Sequence, residues 1–457
     1  MGGDKQKTAR ALAVEVLNRF DTKRTYANVI LDGMLRQTEE KQRTSDLVYG
    51  TIRNLNAIDL VVSSLGGCLS NRIPAKLLNT IRIGAYELIY RPESPDYAIV
   101  NEAVDNVKKI AGKKQASFTN VVLRNICRHI KERRVTLSQS NPKKTLPQTL
   151  FTGCEFDIDI LPDIEKSPDV YLSEAFSLPI WLVKGWIDEY GIENARQICF
   201  AGNRRPSIYV RVNRLKTTTK KLAEKFCEAG IDFEITDEKS MIKLNGPQSV
   251  TDMPGFRDGL FSIQDFSAFQ AASLLQPQPR WKILDLCAAP GTKTMQLAEL
   301  TADKAQIYAT DIDTQRLEKV RENAERLGVK NVKIVEYDDL GQVTEKGRFD
   351  AVLLDVPCSN TGVLAKRLEA RFRIDKKAID KLTKIQSGLL EKAAEMVAQH
   401  GKICYSTCSI ESCENGGVVK DFLAKNKNFK LEKEKLTLPS AQPPDHDGSY
   451  AAVIKTK

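Results

Sequence analysis

Hydrophobic positions in the first part of the chain recur at helical spacing. Phe118, Val122 and Ile126 stand four residues apart, so one face of the segment that contains them is apolar. Residues 7 to about 134 accordingly predict helices only. The stretch 135–169 is rich in Ser, Pro and Thr and has no clear period, so it predicts a linker or a loose excursion.

Beyond about residue 170 the pattern becomes mixed, and then strands and helices alternate. The run 209–212 predicts a strand, and a Lys-rich helix follows near 217–229. After Phe261, short apolar runs rich in β-branched residues are separated by helical segments, which predicts a parallel sheet with both faces covered. The predicted strands are 283–286, 307–310, 332–335, 352–354 and 403–406, and the helices between them include 293–300, 314–327 and 383–399.

Composition narrows the class of protein. The 457 residues suit two to four domains, and 42% hydrophobic with 28% charged residues is typical of a folded chain. The N-terminal charges are not followed by an apolar segment, so we expect no signal peptide. The longest run without charges, 266–279, has only 14 residues, so we expect no membrane span. Ten cysteines without a C-x-x-C pair, together with only three histidines, predict reduced thiols in the cytoplasm and no metal site.

The net charge of +10 is concentrated at one end of the chain. Residues 1–134 contain 23 Lys and Arg against 14 Asp and Glu, a balance of +9. The remainder of the chain is therefore nearly neutral. This distribution predicts a polyanionic partner that is attracted mainly by the helical end.

A strand–turn–helix unit carries the first candidate ligand site. The turn DLCAAPGTKT (285–294) has small residues that let a ligand approach the backbone, and the following helix favours an anionic group at its N-terminus. Asp311 ends the next predicted strand, where a doubly wound fold places an acid against ribose hydroxyls. The turn matches neither G-x-G-x-x-G nor the P-loop. A nucleoside without phosphate, such as S-adenosylmethionine, suits what remains, although units of this kind are common.

Two cysteines lie just beyond later strands of the same predicted sheet. Cys358 stands in DVPCS (355–359), and Cys408 stands in STCS (406–409). Because ligands of open α/β sheets bind outside the carboxyl ends of the strands, we expect both thiols beside the turn. Most cysteines are inert packing residues, but these two are in polar, turn-like surroundings.

Taken together, DLCAAPGTKT, Asp311, DVPCSNTG (355–362) and YSTCS (405–409) resemble the signature motifs of the RNA cytosine-C5 methyltransferases, best those of the RsmB (Sun/Fmu) type. LVYGTIRN (47–54) and IRIGAYELIY (81–90) resemble a NusB-like RNA-binding domain. The resemblance implies a multidomain fold: an all-α NusB-like domain (1–134), a linker (135–169), a small α+β RNA-binding domain (170–258) and a Rossmann-like α/β methyltransferase domain (259–457).

The resemblance also implies an activity and a set of site residues. The activity is methylation of carbon 5 of cytosine 967 in 16S rRNA, with S-adenosylmethionine as cofactor and the base single-stranded or flipped. Cys408 would be the nucleophile that adds to C6, Cys358 would assist product release, and Asp355 would hold the cytosine edge. The residues implied to contact the cofactor are Cys287, Ala288, Ala289, Pro290, Gly291, Thr292, Lys293, Asp311, Asp338 and Asp355.

Two basic runs are candidate RNA contacts. The run 203–221 has seven basic residues and no acid, and the run 366–384 has eight against three acids and directly follows the Pro-Cys motif. Such runs are more often simply solvated faces. The candidate RNA-binding residues are Arg204, Arg205, Arg211, Arg214, Lys366, Arg367, Arg371 and Arg373.

Some positions depart from the family pattern, and alternatives stay open. Thr292 stands where a second glycine is usual, and 371–373 stands where a tryptophan-containing segment is common. The same chemistry on tRNA or another rRNA cytosine is the nearest alternative. A non-catalytic RNA-binding or antitermination factor has no reason to hold both thiols, and a nicotinamide dehydrogenase lacks its glycine motif. The sequence predicts no oligomeric state.

Overall fold

The computed structural model describes residues 6–238, 240–246, 249–345 and 347–457. The chain divides into two compact units. The first contains Met1–Arg204 and Leu364–Arg373, and the second contains Arg205–Val363 and Ile374–Lys457. Within the described ranges, none of the helices combines the length and the apolar character that a bilayer span requires.

The first unit begins with a helical bundle, as the hydrophobic pattern predicts. Val122, Leu123 and Ile126 of the last helix are fully buried. Because these positions recur three and four residues apart, one helix face packs against its neighbours. The helices are α1 (Ala9–Arg19), α2 (Ala27–Met34), α3 (Lys41–Arg53), α4 (Leu55–Leu65), α5 (Ala75–Tyr90), α6 (Asp96–Ala111) and α7 (Lys113–His129).

A three-stranded antiparallel sheet follows the bundle, where the end of a helical region and a linker are predicted. Cys154 and Phe156 of its central strand are fully buried. The strands are short and one ends in Pro147, so no alternating pattern is long enough to show in the sequence. The linker prediction is wrong for this part of 135–169. The strands are β1 (Ile130–Thr136), β2 (Thr145–Pro147) and β3 (Thr152–Phe156), in the order β1–β3–β2.

Two further helices belong to the first unit, α8 (Pro168–Phe176) and α9 (Ile180–Asn203). The hydroxyl of Ser177 accepts a hydrogen bond of 3.0 Å from the backbone N–H of Ala57 in α4. The two helices thus pack with the bundle, which differs from the predicted domain boundary at residue 170.

The second unit opens with a small antiparallel sheet covered by one helix. Leu222 and Phe226 of that helix are buried against Val210 and Phe261 of the sheet. The strand predicted at 209–212 and the helix predicted near 217–229 are confirmed. The elements are β4 (Ile208–Val212), α10 (Thr219–Glu228), β5 (Phe233–Ile235), β6 (Met241–Leu244) and β7 (Phe261–Ile263), with the sheet order β5–β6–β4–β7.

The rest of the second unit is the predicted Rossmann-like fold. Its seven-stranded sheet has the order β10–β9–β8–β11–β12–β14–β13, with β14 antiparallel to both its neighbours and the first five strands parallel. The elements, among which α15 belongs to the first unit, are α11 (Phe266–Leu275), β8 (Lys282–Asp285), α12 (Thr292–Leu300), β9 (Gln306–Ala309), α13 (Thr314–Leu327), β10 (Val332–Ile334), α14 (Leu340–Glu345), β11 (Phe349–Asp355), α15 (Ala370–Arg373), α16 (Lys376–Met396), β12 (Val397–Thr407), α17 (Gly416–Lys425), β13 (Phe429–Thr437) and β14 (Ser449–Thr456).

The order of the strands reverses direction between β8 and β11, and this position is the topological switch point of the sheet. The chain runs from β8 outward to β10 and then returns to β11 on the other side of β8. Asp285 is in register with Leu353, and Asp355 is in register with Ser406, so the carboxyl ends of these strands are level. Ligands of open α/β sheets bind in the crevice at such a point.

Candidate active site

The turn between β8 and α12 contains the predicted cofactor residues 287–293. Gly291 caps α12 with a φ of +99°, and a Cβ there would lie 3.3 Å from the Cα atom of Val320. Glycine therefore suits both the backbone conformation and the space at this position. The Oδ2 atom of Asp311 accepts a hydrogen bond of 3.1 Å from the backbone N–H of Ala289. The acid at the end of β9 and the turn thus hold each other in place.

Asp285, the last residue of β8, is a buried acid to which the sequence assigned no role. Its Oδ2 atom accepts a hydrogen bond of 2.7 Å from the hydroxyl of Thr294, while Oδ1 is buried without a hydrogen-bond partner among the described residues. Burial raises the pKa of Asp285 to about 7; the Thr294 hydrogen bond opposes this rise, and the Asp355 carboxylate adds to it. A buried acid with an unpaired oxygen at the switch point is typical of a functional site.

The Asp285→Asn variant is expected to change how the stability of the ligand-free protein depends on pH. The ordinary pKa of the carboxyl is 3.8 and its folded value is about 7, so between these values the folded state binds the extra proton. The free energy of unfolding of the natural protein should therefore fall as the pH rises through this window, by on the order of 1.4 kcal/mol per pH unit. Asparagine cannot ionise, so this decline disappears and the variant gains most above pH 7.

Urea unfolding at pH 5 and pH 8 measures the difference. Asp380→Asn, on the exposed surface of α16, is the matched control and should leave the pH dependence unchanged. Identical pH dependence in the Asp285→Asn variant and the natural protein would contradict the assignment of a buried, titrating acid.

Lys293 and Asp355 form an ion pair beside the switch point. The ammonium of Lys293 donates to Oδ2 of Asp355 at 2.6 Å, and the hydroxyl of Ser406 donates to Oδ1 at 2.8 Å. Burial alone would lower the pKa of Lys293, but Asp355, with smaller contributions from Cys408 and Asp285, raises it above the ordinary value. Lys293 therefore stays cationic between the turn and the thiols.

The two candidate thiols lie together at the ends of β11 and β12. Their sulfur atoms are 3.2 Å apart, and the sulfur of Cys408 is also 3.2 Å from Oδ1 of Asn360. Asn360 adopts a left-handed conformation, with φ +63°, and its amide donates to the carbonyl of Cys358 at 2.9 Å. The hydrogen bond with Cys408, together with burial, raises the pKa of Cys358 well above its ordinary value. Cys358 is therefore a neutral thiol that can donate to the other sulfur.

The charge around the turn fits S-adenosylmethionine. Burial and then the carboxylates of Asp285, Asp355 and Asp311 raise the pKa of Cys287, which shows that three acids surround this turn, against the cations of Lys293 and Arg316. The cofactor carries a sulfonium, an ammonium, a carboxylate and two ribose hydroxyls. Acids suit its cations and hydroxyls, and the N-terminus of α12 suits its carboxylate. In the part of the chain that is described, no group of three or more His, Cys, Asp or Glu side chains could hold a metal ion.

Two more residues bear on the cofactor side of the site. Ile312 directly follows Asp311 and exposes 84% of its surface. A large apolar residue next to the acid that is predicted to bind ribose is the sequence signal that could have found it. Asp338 lies in the turn Tyr337–Asp339 beyond the edge strand β10 and is exposed. The role of Asp338 as a cofactor contact stays a prediction.

Arg211 is not available to RNA. Its side chain is 1% exposed and forms two hydrogen bonds of 2.9 Å with the carboxylate of Glu299. The guanidinium also donates to Gln264 and to the carbonyl of Thr292. The prediction of an RNA contact is wrong for Arg211, because β4 is part of the core and its basic residue is paired internally.

Arg371 is likewise internal to the first unit, whereas Arg373 is half-buried. Arg371 is 1% exposed and donates to the carbonyls of Arg53 at 2.7 Å and Gly202 at 2.9 Å, and burial lowers its pKa to about 9. Arg373 donates to the carbonyl of Thr22 at 2.9 Å. The prediction of an RNA contact is wrong for Arg371, which is buried; for Arg373, which is half-buried, it stays a prediction. The remaining candidates stay predictions: Arg205, Arg214, Lys366 and Arg367 are exposed, and Arg204 is half-buried.

Three models of known protein families match most of the chain. The model described as 16S rRNA methyltransferase RsmB/F matches residues 272–450. The NusB family model matches residues 7–128, and an RsmF/B-like ferredoxin-like domain matches residues 178–251. The NusB match confirms the prediction that the N-terminal helical bundle is a NusB-like domain.

Individual proteins are similar over nearly the whole length. The chain is 30% identical to a probable ribosomal RNA small subunit methyltransferase B of Synechocystis sp., covering 95% of this chain and 93% of the relative. It is also 30% identical to the protein of the same description in Bacillus subtilis, covering 97% and 95%. The crystal structure of PH0851 superposes with a TM-score of 0.75 at 22% identity, covering 98% of this chain and 99% of that one, which shows a shared fold.

Proposed function

The chain belongs to the RsmB/F family of small-subunit ribosomal RNA methyltransferases, and we propose that it methylates carbon 5 of cytosine 967 in 16S rRNA through a covalent bond between Cys408 and C6 of the base. It is an RNA methyltransferase that uses S-adenosylmethionine. The observation that carries the proposal is the contact of two thiols, 3.2 Å apart, beside an acid and a lysine at the switch point.

The chemistry explains why a thiol is needed. Carbon 5 of cytosine is a poor nucleophile. When the thiolate of Cys408 adds to C6, the electron pair of the C5–C6 double bond moves into the ring and makes C5 nucleophilic. S-adenosylmethionine supplies the methyl group. The C5 proton then passes to water or to another base, its electron pair restores the C5–C6 double bond, and the C6–sulfur bond breaks, so that Cys408 leaves as a thiolate that Cys358 can protonate.

The neighbouring groups suit complementary tasks. Asp355 retains 37% exposure of its side chain, so its carboxylate can hold the amino edge of the cytosine while Lys293 and Ser406 fix its orientation. Cys358 remains protonated and can donate to the departing sulfur of Cys408, which supports its assignment to product release. We assign Cys408 as the nucleophile of the pair.

Cofactor binding is assigned to the turn and to the end of β9. Residues 287–293 and Asp311 would hold the cofactor, with the carboxylate of Asp311 on the ribose hydroxyls. Ile312 would pack its exposed side chain on the adenine ring, because apolar surface next to a ribose-binding acid suits a flat base.

The target base must leave its stack to reach the thiols. We propose that the substrate is a single-stranded or flipped cytosine of 16S rRNA, and that methylation takes place in the cytoplasm. Residues 1–134, with their balance of +9, would supply much of the attraction for the RNA.

The Cys358→Ala variant is expected to accumulate a covalent enzyme–RNA adduct. Alanine removes the thiol assigned to product release, while Cys408 can still add to C6. Incubation with S-adenosylmethionine and a 16S rRNA fragment that contains the target should give a slowly migrating band on a denaturing gel. The band should disappear in the Cys358→Ala, Cys408→Ala double variant.

Cys227→Ala, which changes an exposed cysteine of α10, is the matched control and should give no band. Rapid turnover by the Cys358→Ala variant without an adduct would contradict the proposed division of labour between the two thiols.

A further inference from the structure

Each of the two active-site cysteines is followed by a serine, and both serines bind one buried carboxylate. The hydroxyls of Ser359 and Ser409 donate to Oε2 of Glu414, the latter at 2.6 Å. The backbone N–H of Ser359 donates to Oε1 of Glu414 at 2.9 Å. Glu414 is fully buried. One side chain thus joins the loop after β11 to the loop after β12.

Further contacts hold this carboxylate in place. The amide of Gln386 on α16 donates to Oε1 of Glu414 at 3.0 Å and to the carbonyl of Pro357 at 2.9 Å. The hydroxyl of Tyr405 donates to the backbone carbonyl of Glu414 at 2.5 Å. The network therefore ties the cysteine loops to a helix and to the central sheet.

The next residue reinforces the second loop. The side-chain oxygen of Asn415 accepts a hydrogen bond of 2.6 Å from the hydroxyl of Thr407, and its amide donates to the carbonyl of Ser409 at 3.0 Å. Thr407 and Ser409 flank Cys408, so the backbone on either side of the nucleophile is held by the Glu414–Asn415 pair.

We propose that Glu414 is a positioning residue that holds the Cys358 and Cys408 loops in register, so that one sulfur can attack C6 while the other can assist its release. This inference rests on the proposed function of the two thiols. In the part of the chain that is described, the carboxylate of Glu414 accepts hydrogen bonds from the two serines and not from either sulfur atom. Glu414 therefore affects the thiols through the neighbouring serines.

Geometry is the physical reason. The two loops leave different strands, and the register of β11 with β12 ends at Asp355 and Ser406. Beyond that point only single contacts join the two loops, such as the backbone N–H of Val356 with the carbonyl of Ser406 and that of Gly362 with the carbonyl of Cys408, both at 3.0 Å. A displacement of about 1 Å of a reacting group can cost about a hundredfold in rate. A shared acceptor with several donors from both loops adds to these single contacts and limits such a displacement.

Variants that lack one serine hydroxyl test the contribution of each cysteine loop separately. Ser409→Ala, introduced together with Cys358→Ala, is expected to slow formation of the covalent adduct by about ten- to a hundredfold relative to Cys358→Ala alone, because Ser409 directly follows the nucleophile and loses its bond to Glu414. Ser359→Ala, in the protein with both cysteines, should slow release instead, so that an adduct accumulates that the natural protein does not show. Quenched time courses with the full chain and the rRNA fragment measure both rates, and titration with S-adenosylmethionine should give unchanged affinity.

Substitutions of Glu414 supply a second test. Glu414→Gln keeps one carbonyl oxygen for the N–H of Ser359, and its amide can donate to both hydroxyls, which can turn to accept. It should retain activity within about threefold, since the hydrogen-bond network can re-form. Glu414→Leu removes every acceptor and should lose about a hundredfold or more. If the leucine variant does not fold, the serine variants decide the question.

Cys413→Ser is the matched control, because Cys413 is exposed and directly precedes Glu414; it should behave like the natural protein. Equal slowing of both steps by either serine variant, unchanged rates in both, or a glutamine variant as inactive as the leucine variant would overturn the inference. Failure of the proposed function has a different result: Cys358→Ala would then form no adduct while methylation continues, whatever residue stands at position 414.

Discussion

The Cys408→Ala variant is expected to lose methyl transfer, with a fall in turnover of at least about a thousandfold. Without the thiol no bond forms to C6, so C5 never becomes nucleophilic and the methyl donor has no acceptor. The residues proposed to hold the cofactor, 287–293 and Asp311, do not include Cys408, and alanine removes only one sulfur atom, so the affinity for S-adenosylmethionine should remain within about threefold.

Transfer of labelled methyl groups to the rRNA fragment measures the loss, and calorimetry measures the affinity. In cells that lack the gene, bisulfite sequencing should show an unmodified cytosine 967 when the Cys408→Ala variant is supplied, and a methylated one with the natural protein. Full activity of the variant would contradict the nucleophile assignment. An rRNA pattern that does not depend on the gene would move the target to tRNA or to another rRNA cytosine.

The Arg371→Met variant is expected to destabilise the first unit by on the order of 3–5 kcal/mol. The guanidinium of Arg371 is 1% exposed and donates to the carbonyls of Arg53 and Gly202 and to the side chain of Asn203. Methionine fills similar space but leaves these buried acceptors without a donor, which costs far more than the loss of an exposed charge. Arg371→Lys should recover only part of the loss, because one ammonium cannot reach acceptors in several directions.

Urea unfolding monitored by circular dichroism measures the change. Arg367→Met is the matched control: it lies in the same segment but is exposed, so its effect should stay within about 0.5 kcal/mol. A destabilisation of equal size in the two variants would show that Arg371 is not the anchor of residues 364–373.

Much of the catalytic fold can be predicted from the sequence because its signals are local. Short β-rich runs between amphipathic segments predict the parallel strands, and β8, β9 and β12 contain or overlap the runs that predict them. The thiol loops could be paired because parallel strands end at one edge. The sheet in residues 130–156 could not, since two of its strands have only three and five residues, too few to show an alternating pattern.

The basic residues show the opposite case. Arg211 and Arg371 stand in basic runs, and charge along the sequence does not distinguish a solvated face from a buried donor. Their burial depends on acceptors such as Glu299, 88 positions away in the sequence, and the carbonyl of Arg53, 318 positions away. Long-range partners of this kind leave no local pattern.

The sequence by itself determined the family and predicted the chemistry, because the family motifs are contiguous segments and each of the two cysteines stands inside one of them. Only the tertiary structure decided which groups act together and which basic residues are internal. It joins Ser359 and Ser409 through Glu414, and it leaves Asp285 with an unpaired buried oxygen. The physical reason is that burial and hydrogen bonding depend on distance in space, which the order of residues along the chain does not specify.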